Sequence, residues 1–321
     1  MYEQFFGLTE KPFNTTPDSK FFYPSPKHTE ALNSLIYAIS ERKGFVVITG
    51  EIGVGKTTVW RTLVNKLDSN TNLAVLTNTH LTCRELIAGI LEELQVEYKP
   101  GTKQKLLSQL NDYLIRQLAA DTNVVLIIDE AQNLAPKVLE EVRMLSNLET
   151  EKEKMIQIIL IGQPQLKAKL SHPRLEQFKQ RIAVYYHMSG LSRQETEAYI
   201  MHRIRLASSN GVDIFTPRAI EAVYNYSRGI PRLINLVCDS ALLSGYIYET
   251  KRITENIIQD VIKERDFQQD IREEVKLHCC SDCASYAHCE TKWLRGTKQE
   301  EQLCCSKCQD YLRCTDKIKK E

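Results

Sequence analysis

The chain has 321 residues, of which 42% are apolar and 26% charged, and 42 Lys and Arg against 41 Asp and Glu give a net charge of +1 at pH 7. This composition is ordinary for a globular protein, and the length suits one large core with a smaller second domain. The balanced charge gives no overall signature of nucleic-acid binding, although it does not exclude a local basic stripe.

Neither a membrane span nor a signal peptide is predicted. No uncharged apolar run reaches the roughly 18 residues that a transmembrane helix needs. The best run, LINLVCDSALLSGYIYE, is interrupted by Asp239, Ser240 and Ser244. The first residues, MYEQFFGLTEKPF, lack a basic region followed by an apolar one. We therefore expect a cytoplasmic protein.

The amino-terminal segment is rich in aromatic residues and turn formers, as in FFGL, KPF and PDSKFFYPSPKH. We expect several short strands and a strap there, anchored by the aromatic side chains. Apolar residues then recur at helical spacing from His28 to Arg42, which predicts a helix. Residues 1–43 would thus form a strap and a helix that lead into the next domain.

Residues 49–58 read TGEIGVGKTT and fit the phosphate-loop pattern G-x-x-x-x-G-K-[ST]. The β-branched run GFVVITG leads into this motif and the helical pattern TTVWRTLVNKL follows it, a context that a chance match on a glycine turn would lack. Lys56 would neutralise the β- and γ-phosphates, and the Thr57 hydroxyl would bind Mg²⁺. The residues expected to contact the nucleotide are Gly50, Glu51, Gly53, Val54, Gly55, Lys56, Thr57 and Thr58.

Further apolar runs alternate with helical patterns, namely LAVLTN at 73–78, VVLIIDE at 124–130, IQIILIG at 156–162 and IAVYYHM at 182–188. Strands buried on both faces read as such runs, so we expect an α/β fold with about five parallel strands and helices on both faces. From Ser192 onward the pattern changes to four helices. The boundaries predict a P-loop domain over residues 44–189 and a helical lid over residues 190–268.

Acidic and amide side chains follow two of these predicted strands. In VVLIIDEAQ, Asp129 would hold Mg²⁺ through its water shell and Glu130 would polarise the attacking water. A DE pair at a solvated strand end is the alternative. Gln163, after IILIG, would orient the water or sense the γ-phosphate, unless it is only a turn residue before Pro164.

Two arginines complete the predicted site. Arg181 precedes the last predicted strand, where its planar, permanently charged guanidinium could reach the γ-phosphate of a neighbouring subunit. Arg174 is the rival for this role, and a plain surface arginine is the alternative. Arg232 begins a lid helix in SRGIPRLIN, after a turn fixed by Gly229 and Pro231, and a helix N-terminus suits a phosphate contact.

Seven blocks of the sequence resemble those of the general secretion pathway protein A (ExeA-like) family of AAA+ ATPases, over residues 1 to about 265. They are FFGLTEKPFNTTPDSKFFYPSPKHTEAL, GFVVITGEIGVGKTT, IDEAQNL, LEEVRMLSNLET, IILIGQPQL, QRIAVYYHMSGLS and GIPRLIN. The resemblance implies an ATPase that uses ATP and Mg²⁺, and the related transposition helpers (TniB/TnsC-like) share this core. It implies Walker A, Walker B, sensor 1, finger and sensor 2 roles, in chain order, for Lys56, Thr57, Asp129, Glu130, Gln163, Arg181 and Arg232.

The sequence departs from that family after the ATPase blocks. Secretion members continue into a membrane span and a periplasmic peptidoglycan-binding region, whereas this sequence continues into a cysteine-rich tail over residues 269–321. The resemblance therefore implies the ATPase and leaves the pathway open.

The tail repeats one motif, C-C-x2-C-x5-C, in HCCSDCASYAHC and CCSKCQDYLRC. Such a small duplicated unit cannot build a hydrophobic core and needs a metal ion or a covalent cross-link to stabilise it. Clustered C-x2-C pairs favour Zn²⁺ over an iron–sulfur cluster, disulfides or redox-reactive thiols. One ribbon-like site from Cys280, Cys283, Cys305 and Cys308 is the alternative to one site in each repeat, with His278 and His288 in reserve. The expected zinc ligands are drawn from Cys279, Cys280, Cys283, Cys289, Cys304, Cys305, Cys308 and Cys314.

Three functions fit these features. The first is an ATP-hydrolysing switch or motor whose subunits assemble into a ring or filament, so that Arg181 completes a neighbour's site. The second is an adaptor that binds duplex DNA under ATP control, with the tail as the partner-binding module. The third is a secretion-assembly factor that reaches the membrane through a partner. The protein client stays unidentified in each case.

Overall fold

The computed structural model describes residues 1–14, 19–68, 70–150, 153–172, 175–208 and 213–265. The chain divides into two compact units, Met1–Ile258 and Gln259–Glu321, and nearly all described residues belong to the first. Our four-part division of the sequence, with its separate lid and tail, stays a prediction.

Five parallel strands form one sheet in the order β2-β3-β4-β1-β5, as the apolar runs predicted. Neighbouring strands pair residue by residue, for example with Val46 opposite Ile159 and Leu126 opposite Ile158, apart from one register shift between β1 and β5 after Phe45. Because all five run the same way, their carboxyl ends share one edge of the sheet. The strands are β1 (Phe45–Gly50), β2 (Thr71–Leu76), β3 (Asn123–Ile128), β4 (Gln157–Gly162) and β5 (Ile182–Met188).

Helices cover both faces of the sheet, and the alternation of side chains along each strand feeds two cores. Val46 and Ile48 of β1 face one core, with helices α2 and α3, while Phe45 and Val47 face the other, with α4, α5 and α6. The helices within the sheet domain are α2 (Pro26–Ser40), α3 (Lys56–Val64), α4 (Cys83–Glu93), α5 (Lys103–Ala119), α6 (Pro136–Leu145), α7 (Pro164–Leu170) and α8 (Glu176–Lys179).

Four helical segments follow the last strand within residues 193–208 and 213–265, which confirms the change of pattern after Ser192. They are α9 (Arg193–Ala207), α10 (Pro217–Ser227), α11 (Pro231–Ile247) and a segment over residues 255–265. The Ser192 side chain caps α9 within a capping box, and the Thr216 hydroxyl accepts a hydrogen bond from the backbone N–H of Ala219.

The short strands expected near the amino terminus are wrong for the part of that segment that is described. A five-residue helix, α1 (Tyr2–Phe6), begins the chain, and Gly7 ends it in the left-handed conformation, at φ 71°. A 3-10 helix, Ser19–Phe21, follows. The aromatic side chains of Tyr2 and Phe6 are buried against the rest of the protein rather than aligned in strands. The Tyr2 hydroxyl also donates a hydrogen bond to Asp239 on α11.

Among the described helices, none is both long and apolar enough to cross a lipid bilayer.

Candidate functional site

The glycine-rich loop joins β1 to α3 at the carboxyl edge of the sheet, as the sequence predicted. Two of its residues adopt a left-handed backbone, Gly53 at φ 83° and Gly55 at φ 100°. A Cβ atom at Gly55 would lie 2.8 Å from the His28 ring. Glycine is therefore required both for the backbone turn and for the close approach of α2 to the loop.

Lys56, the first residue of α3, is 7% exposed and folds back over the loop. Its ammonium donates hydrogen bonds to the carbonyl oxygens of Gly50 (2.8 Å) and Glu51 (2.9 Å). Burial lowers the pKa of Lys56, although the nearby carboxylates of Glu130 and Asp129 pull it back up. A weakly hydrated cation at the N-terminus of a helix is suited to an anionic ligand.

Asp129, directly after β3, is 5% exposed and accepts hydrogen bonds from three neighbours. Its Oδ2 atom accepts from the Thr57 hydroxyl (3.2 Å) and from the indole Nε1 of Trp60 (2.9 Å), and its Oδ1 atom accepts from the backbone N–H of Glu130 (2.9 Å). Thr57 and Asp129 were predicted to act together. Trp60 was not, although its place one turn after Thr57 on α3 was a usable signal.

Glu130 adopts a left-handed backbone at φ 54° and is held by two amides. Its Oε2 atom accepts hydrogen bonds from the side chains of Gln132 (2.6 Å) and Gln163 (3.2 Å), while the side-chain oxygen Oε1 of Gln132 accepts from the Gln163 backbone N–H (3.0 Å). The predicted pair of Glu130 and Gln163 is therefore in direct contact. Gln132, which the sequence reasoning missed, links the two.

The helices α9, α10 and α11 that follow β5, here called the lid, meet the glycine-rich loop at the start of α11. The backbone N–H of Arg232 donates to the carbonyl of Gly53 (3.2 Å), and a Cβ atom at Gly53 would lie 2.5 Å from that of Arg232. Arg232 thus lies beside the loop, and its contact with a phosphate stays a prediction. A cavity of about 450 Å³ joins Arg232 to Lys56, Thr57 and Glu130.

The far wall of this cavity comes from the amino-terminal strap and the lid, including Phe21, Tyr199 and Arg203. The buried Arg203 guanidinium donates to the carbonyl of Pro12 (2.6 Å) and to the Tyr199 hydroxyl (2.6 Å), and it lies 4.9 Å from the centre of the Phe21 ring. The contacts of Arg203 with Pro12 and Phe21 connect residues far apart in sequence. No local pattern could have indicated them.

His28 joins α2 to the glycine-rich loop. Its Nε2–H donates to the carbonyl of Val54 (3.0 Å), and this fixes the tautomer, so that Nδ1 accepts from the Ser25 hydroxyl (2.6 Å). Burial lowers the pKa of His28, because the charged imidazolium would lose its hydration there. The ring is therefore suited to hold the loop in its neutral form.

Arg181 lies apart from the other predicted site residues. It precedes Ile182, which pairs with Phe45 at the start of β1, whereas the glycine-rich loop follows the end of that strand. Its guanidinium donates to the Ser146 hydroxyl (2.9 Å) and to the Asn147 side chain. The rival arginine, Arg174, lies outside the described residues.

The predicted zinc ligands, Cys279 to Cys314, also lie outside the described residues, so the zinc site stays a prediction. Within the described ranges, no cluster of three or more His, Cys, Asp or Glu side chains is arranged to hold a metal ion. Cys238 is buried there and Cys83 half-buried, both as free thiols. The Cys83 thiol donates a hydrogen bond to the backbone carbonyl of Lys137 (3.5 Å).

Residues 39–170 match a protein family described as an AAA domain. The chain carries an AAA domain. Over 254 residues it is 45% identical to general secretion pathway protein A of Aeromonas hydrophila. The matched region covers 79% of this chain and 46% of that relative. The resemblance drawn from the sequence blocks is thereby confirmed, and the chain spans less than half the length of the relative.

Solved structures share the fold. The Aeropyrum pernix ORC2 protein, in ADPNP-ADP complexes, has a TM-score of 0.59 at 15% identity, over 80% of this chain and 72% of that one. Cdc6p from Pyrobaculum aerophilum has a TM-score of 0.59 at 17% identity, over 77% and 71%. The Aeropyrum pernix ORC1 protein, in complex with DNA, has a TM-score of 0.58 at 14% identity, over 79% of this chain and 69% of that one. These likenesses confirm the α/β P-loop fold.

The residues of this AAA domain fit the nucleotide and the Mg²⁺ ion that the fold implies. Thr57 and Asp129 offer hard oxygen donors whose closest atoms are 3.2 Å apart, the ligand chemistry that Mg²⁺ prefers. Gly53 and Gly55, both with positive φ, shape the loop backbone that precedes the N-terminus of α3, the kind of backbone to which phosphates bind.

Proposed function

We propose that the protein binds and hydrolyses ATP to ADP and phosphate. The observation that carries this proposal is the pairing of the Thr57–Asp129 contact with the Glu130–Gln163 contact at one edge of the sheet, beside Lys56. An acidic pair with separate hydrogen-bond partners, next to a buried lysine, provides both a metal ligand and a base.

Each side chain has a role that its contacts support. Lys56 exchanges its bonds to the loop carbonyls for bonds to the β- and γ-phosphates. Thr57 and Asp129 would hold Mg²⁺, which supplies charge neutralisation to the phosphates when it is bound. Glu130 polarises the attacking water through Oε1, because its Oε2 atom is held by amides. Arg232 contacts the γ-phosphate from the lid.

Turnover would act on an assembly, as a switch or motor. The contact between Gly53 and Arg232 supports coupling between loop and lid, since a lid that follows the nucleotide moves with the loop. We propose a homo-oligomer, ring or filament, in which Arg181 completes the site of a neighbour. The secretion pathway named for the relative is a candidate setting, with an unknown protein client, and the cytoplasmic location stays a prediction.

A DNA-binding adaptor is the second candidate. One structure that shares this fold, the ORC1 protein, was solved in complex with DNA. Lys103 and Lys169 give this reading little support, because Lys103 pairs with Glu141 and Lys169 donates to the backbone carbonyls of Gln132 and Leu134. Binding to duplex DNA would show a salt-dependent affinity whose slope counts phosphate contacts.

The test is ATP turnover by the purified full chain, with and without duplex DNA. Lys56→Ala should abolish nucleotide binding and turnover, whereas Glu130→Gln should keep binding and lower turnover by about 100- to 10,000-fold. Glu140→Gln is the control, because this carboxylate pairs with Arg143 on α6 and should leave turnover unchanged.

Three results would change the proposal. Wild-type protein that binds ATP but turns it over no faster than Glu130→Gln, with and without DNA, would replace hydrolysis by an ATP-gated scaffold. Turnover stimulated by DNA would favour the adaptor. Turnover that survives Lys56→Ala would remove the loop from the mechanism altogether.

A further inference from the structure

Trp60 is a buried indole whose only polar atom is used on a single carboxylate. Its side chain is 9% exposed within the core between α2, α3 and the sheet, and its Nε1–H donates to Oδ2 of Asp129 at 2.9 Å. An indole N–H adds nothing to apolar packing, and here it is bonded to a carboxylate of the proposed site. The N–H group therefore has a use beyond packing.

The hydrogen bonds around Asp129 restrict its carboxylate from both sides. The Glu130 backbone N–H holds Oδ1, while the Thr57 hydroxyl and the Trp60 indole share Oδ2. The Thr57 hydroxyl can rotate, whereas the indole N–H is fixed by a packed ring. Trp60 is therefore the rigid donor of the two that reach Oδ2 from α3.

We propose that Trp60 is a positioning residue for Mg²⁺, which acts by fixing the orientation of the Asp129 carboxylate. This inference rests on the proposed nucleotide site. Hydrogen-bond donors behind a metal-ligating carboxylate orient it, and their removal costs metal affinity by about 10- to 100-fold. Trp60 lies on α3, three residues after Thr57, and its hydrogen bond reaches Asp129. One helix thus contacts or contains both expected metal ligands, Thr57 and Asp129.

The substitution that tests this is Trp60→Phe, which keeps an aromatic ring and removes the N–H donor. We expect the Mg²⁺ concentration for half-maximal binding of a slowly hydrolysed ATP analogue to rise by about 10-fold or more. Affinity for the nucleotide without Mg²⁺ should stay unchanged, and turnover should recover at saturating Mg²⁺. A merely structural role would weaken binding with and without the ion.

The control is Tyr113→Phe, on α5 against the other face of the sheet. Tyr113 is also 9% exposed, and its hydroxyl accepts a hydrogen bond from the Asn72 side chain at 2.8 Å. The variant thus removes one hydrogen-bonding group from an equally buried aromatic residue away from the site. Its Mg²⁺ dependence should match that of the wild type.

Fluorescence provides a second measurement on unaltered Trp60. The chain has two tryptophans, so Trp293→Phe leaves Trp60 as the sole indole emitter. Titration of Mg²⁺ into the nucleotide complex should change its emission, and Asp129→Asn should remove this change. This measurement decides the question even when Trp60→Phe fails to fold.

Two results would overturn the inference alone: folded Trp60→Phe with wild-type Mg²⁺ affinity, or Trp60 emission that ignores Mg²⁺ while the ion still tightens nucleotide binding. A wild-type protein that binds no nucleotide at any Mg²⁺ concentration would overturn the proposed function as well. The two failures are therefore distinguishable.

Discussion

Glu130 owes its orientation to amide groups rather than to a cation. Gln132 donates to its Oε2 atom and accepts from the backbone of Gln163, so one side chain fixes both the carboxylate and the turn after β4. A Cβ atom at Gly162 would lie 2.7 Å from the side-chain oxygen Oε1 of Gln132, which shows how closely this amide is enclosed. A water activated at Oε1 would depend on that geometry.

We expect Gln132→Ala to lower ATP turnover by up to about 100-fold, because a displaced base is no longer aligned with the attacking water. Nucleotide affinity should stay near the wild-type value, since Gln132 does not line the cavity. Single-turnover rates and equilibrium binding separate the two effects. Gln117→Ala, an amide that bonds to Asn72 on the far face of the sheet, is the control. Equal turnover rates for the two variants would contradict this role.

His28 predicts a pH dependence of stability. Burial lowers its pKa in the folded protein, although the carbonyl of Val54 and the carboxylate of Glu195 oppose this. The unfolded chain then binds more protons as the pH falls below the ordinary value of about 6.5. Stability contributed by neutral His28 is present above that pH and is lost between it and the folded pKa.

The measurement is thermal unfolding between neutral and mildly acidic pH. His28→Gln keeps an amide donor without a titrating group, so its midpoint should fall less steeply with acid than that of the wild type. His202, whose pKa burial also lowers, remains in both proteins and cancels in the comparison. Parallel pH profiles would show that His28 does not contribute to the acid sensitivity.

The sequence alone predicted the residues of the site that belong to a local pattern. Lys56 and Thr57 follow glycines at fixed spacing, and Asp129 and Glu130 end an apolar strand, so strand order brings them together. Trp60 and Gln132 were missed, because their carboxylate partners become visible only in the fold. The spacing of Trp60 from Thr57 was a usable signal, whereas Gln132, in the short 3-10 helix Ala131–Asn133, had none.

At the level of elements, two glycines with similar backbones test how the lid is attached. Gly7 ends α1 at φ 71° with no atom within 4 Å of an added Cβ, while Gly229 has φ 74° and its Cβ would overlap the backbone of Leu191. The Leu191 N–H also donates to the Gly229 carbonyl (2.8 Å). The turn before α11 is thus tightly packed against the loop that begins α9.

We expect Gly7→Ala to cost about 1–2 kcal/mol of unfolding free energy, from the left-handed backbone alone. Gly229→Ala adds overlap with backbone atoms that cannot rotate away, for a total of roughly 3–5 kcal/mol. Chemical denaturation of both variants measures the difference. Equal costs would mean that the lid turn moves freely, and that Arg232 on α11 is not held by it.

Elements with long periodic patterns were predicted well, and short ones were not. The central strands β1, β3 and β4 were read from Val, Ile and Leu runs, because a strand buried on both faces has few polar positions to confuse the pattern. The first residues were expected to form strands, since FFGL is rich in strand formers. Packing of Tyr2 and Phe6 against the lid stabilises α1 instead.

At the level of the whole molecule, the position of Arg181 determines what it can do. Strand β1 separates it from the glycine-rich loop by roughly 17 Å, from a rise of about 3.3 Å per residue. An arginine side chain does not span that distance, so Arg181 has no access to the phosphate site of its own chain. A catalytic role for it requires a neighbouring subunit.

Mixing two inactive variants tests this requirement. Lys56→Ala keeps the arginine and loses the phosphate site, whereas Arg181→Ala keeps the site and loses the arginine. Each should be inactive alone, while Arg181→Ala should still bind nucleotide as the wild type does. In mixed assemblies an intact Arg181 meets an intact site, so turnover should return with a dependence on the mixing ratio.

The same mixture made with Arg174→Ala separates the rival arginine from Arg181. Arg42→Ala, at the same edge of the sheet but paired with Asp121 and Glu153, controls for loss of an arginine there and should stay active alone. If Arg174→Ala is the inactive partner that mixing rescues, the finger is Arg174. A residue needed at a neighbour's phosphates cannot be removed without loss of turnover. If Arg181→Ala is fully active alone, Arg181 therefore serves only to bind Ser146 and Asn147.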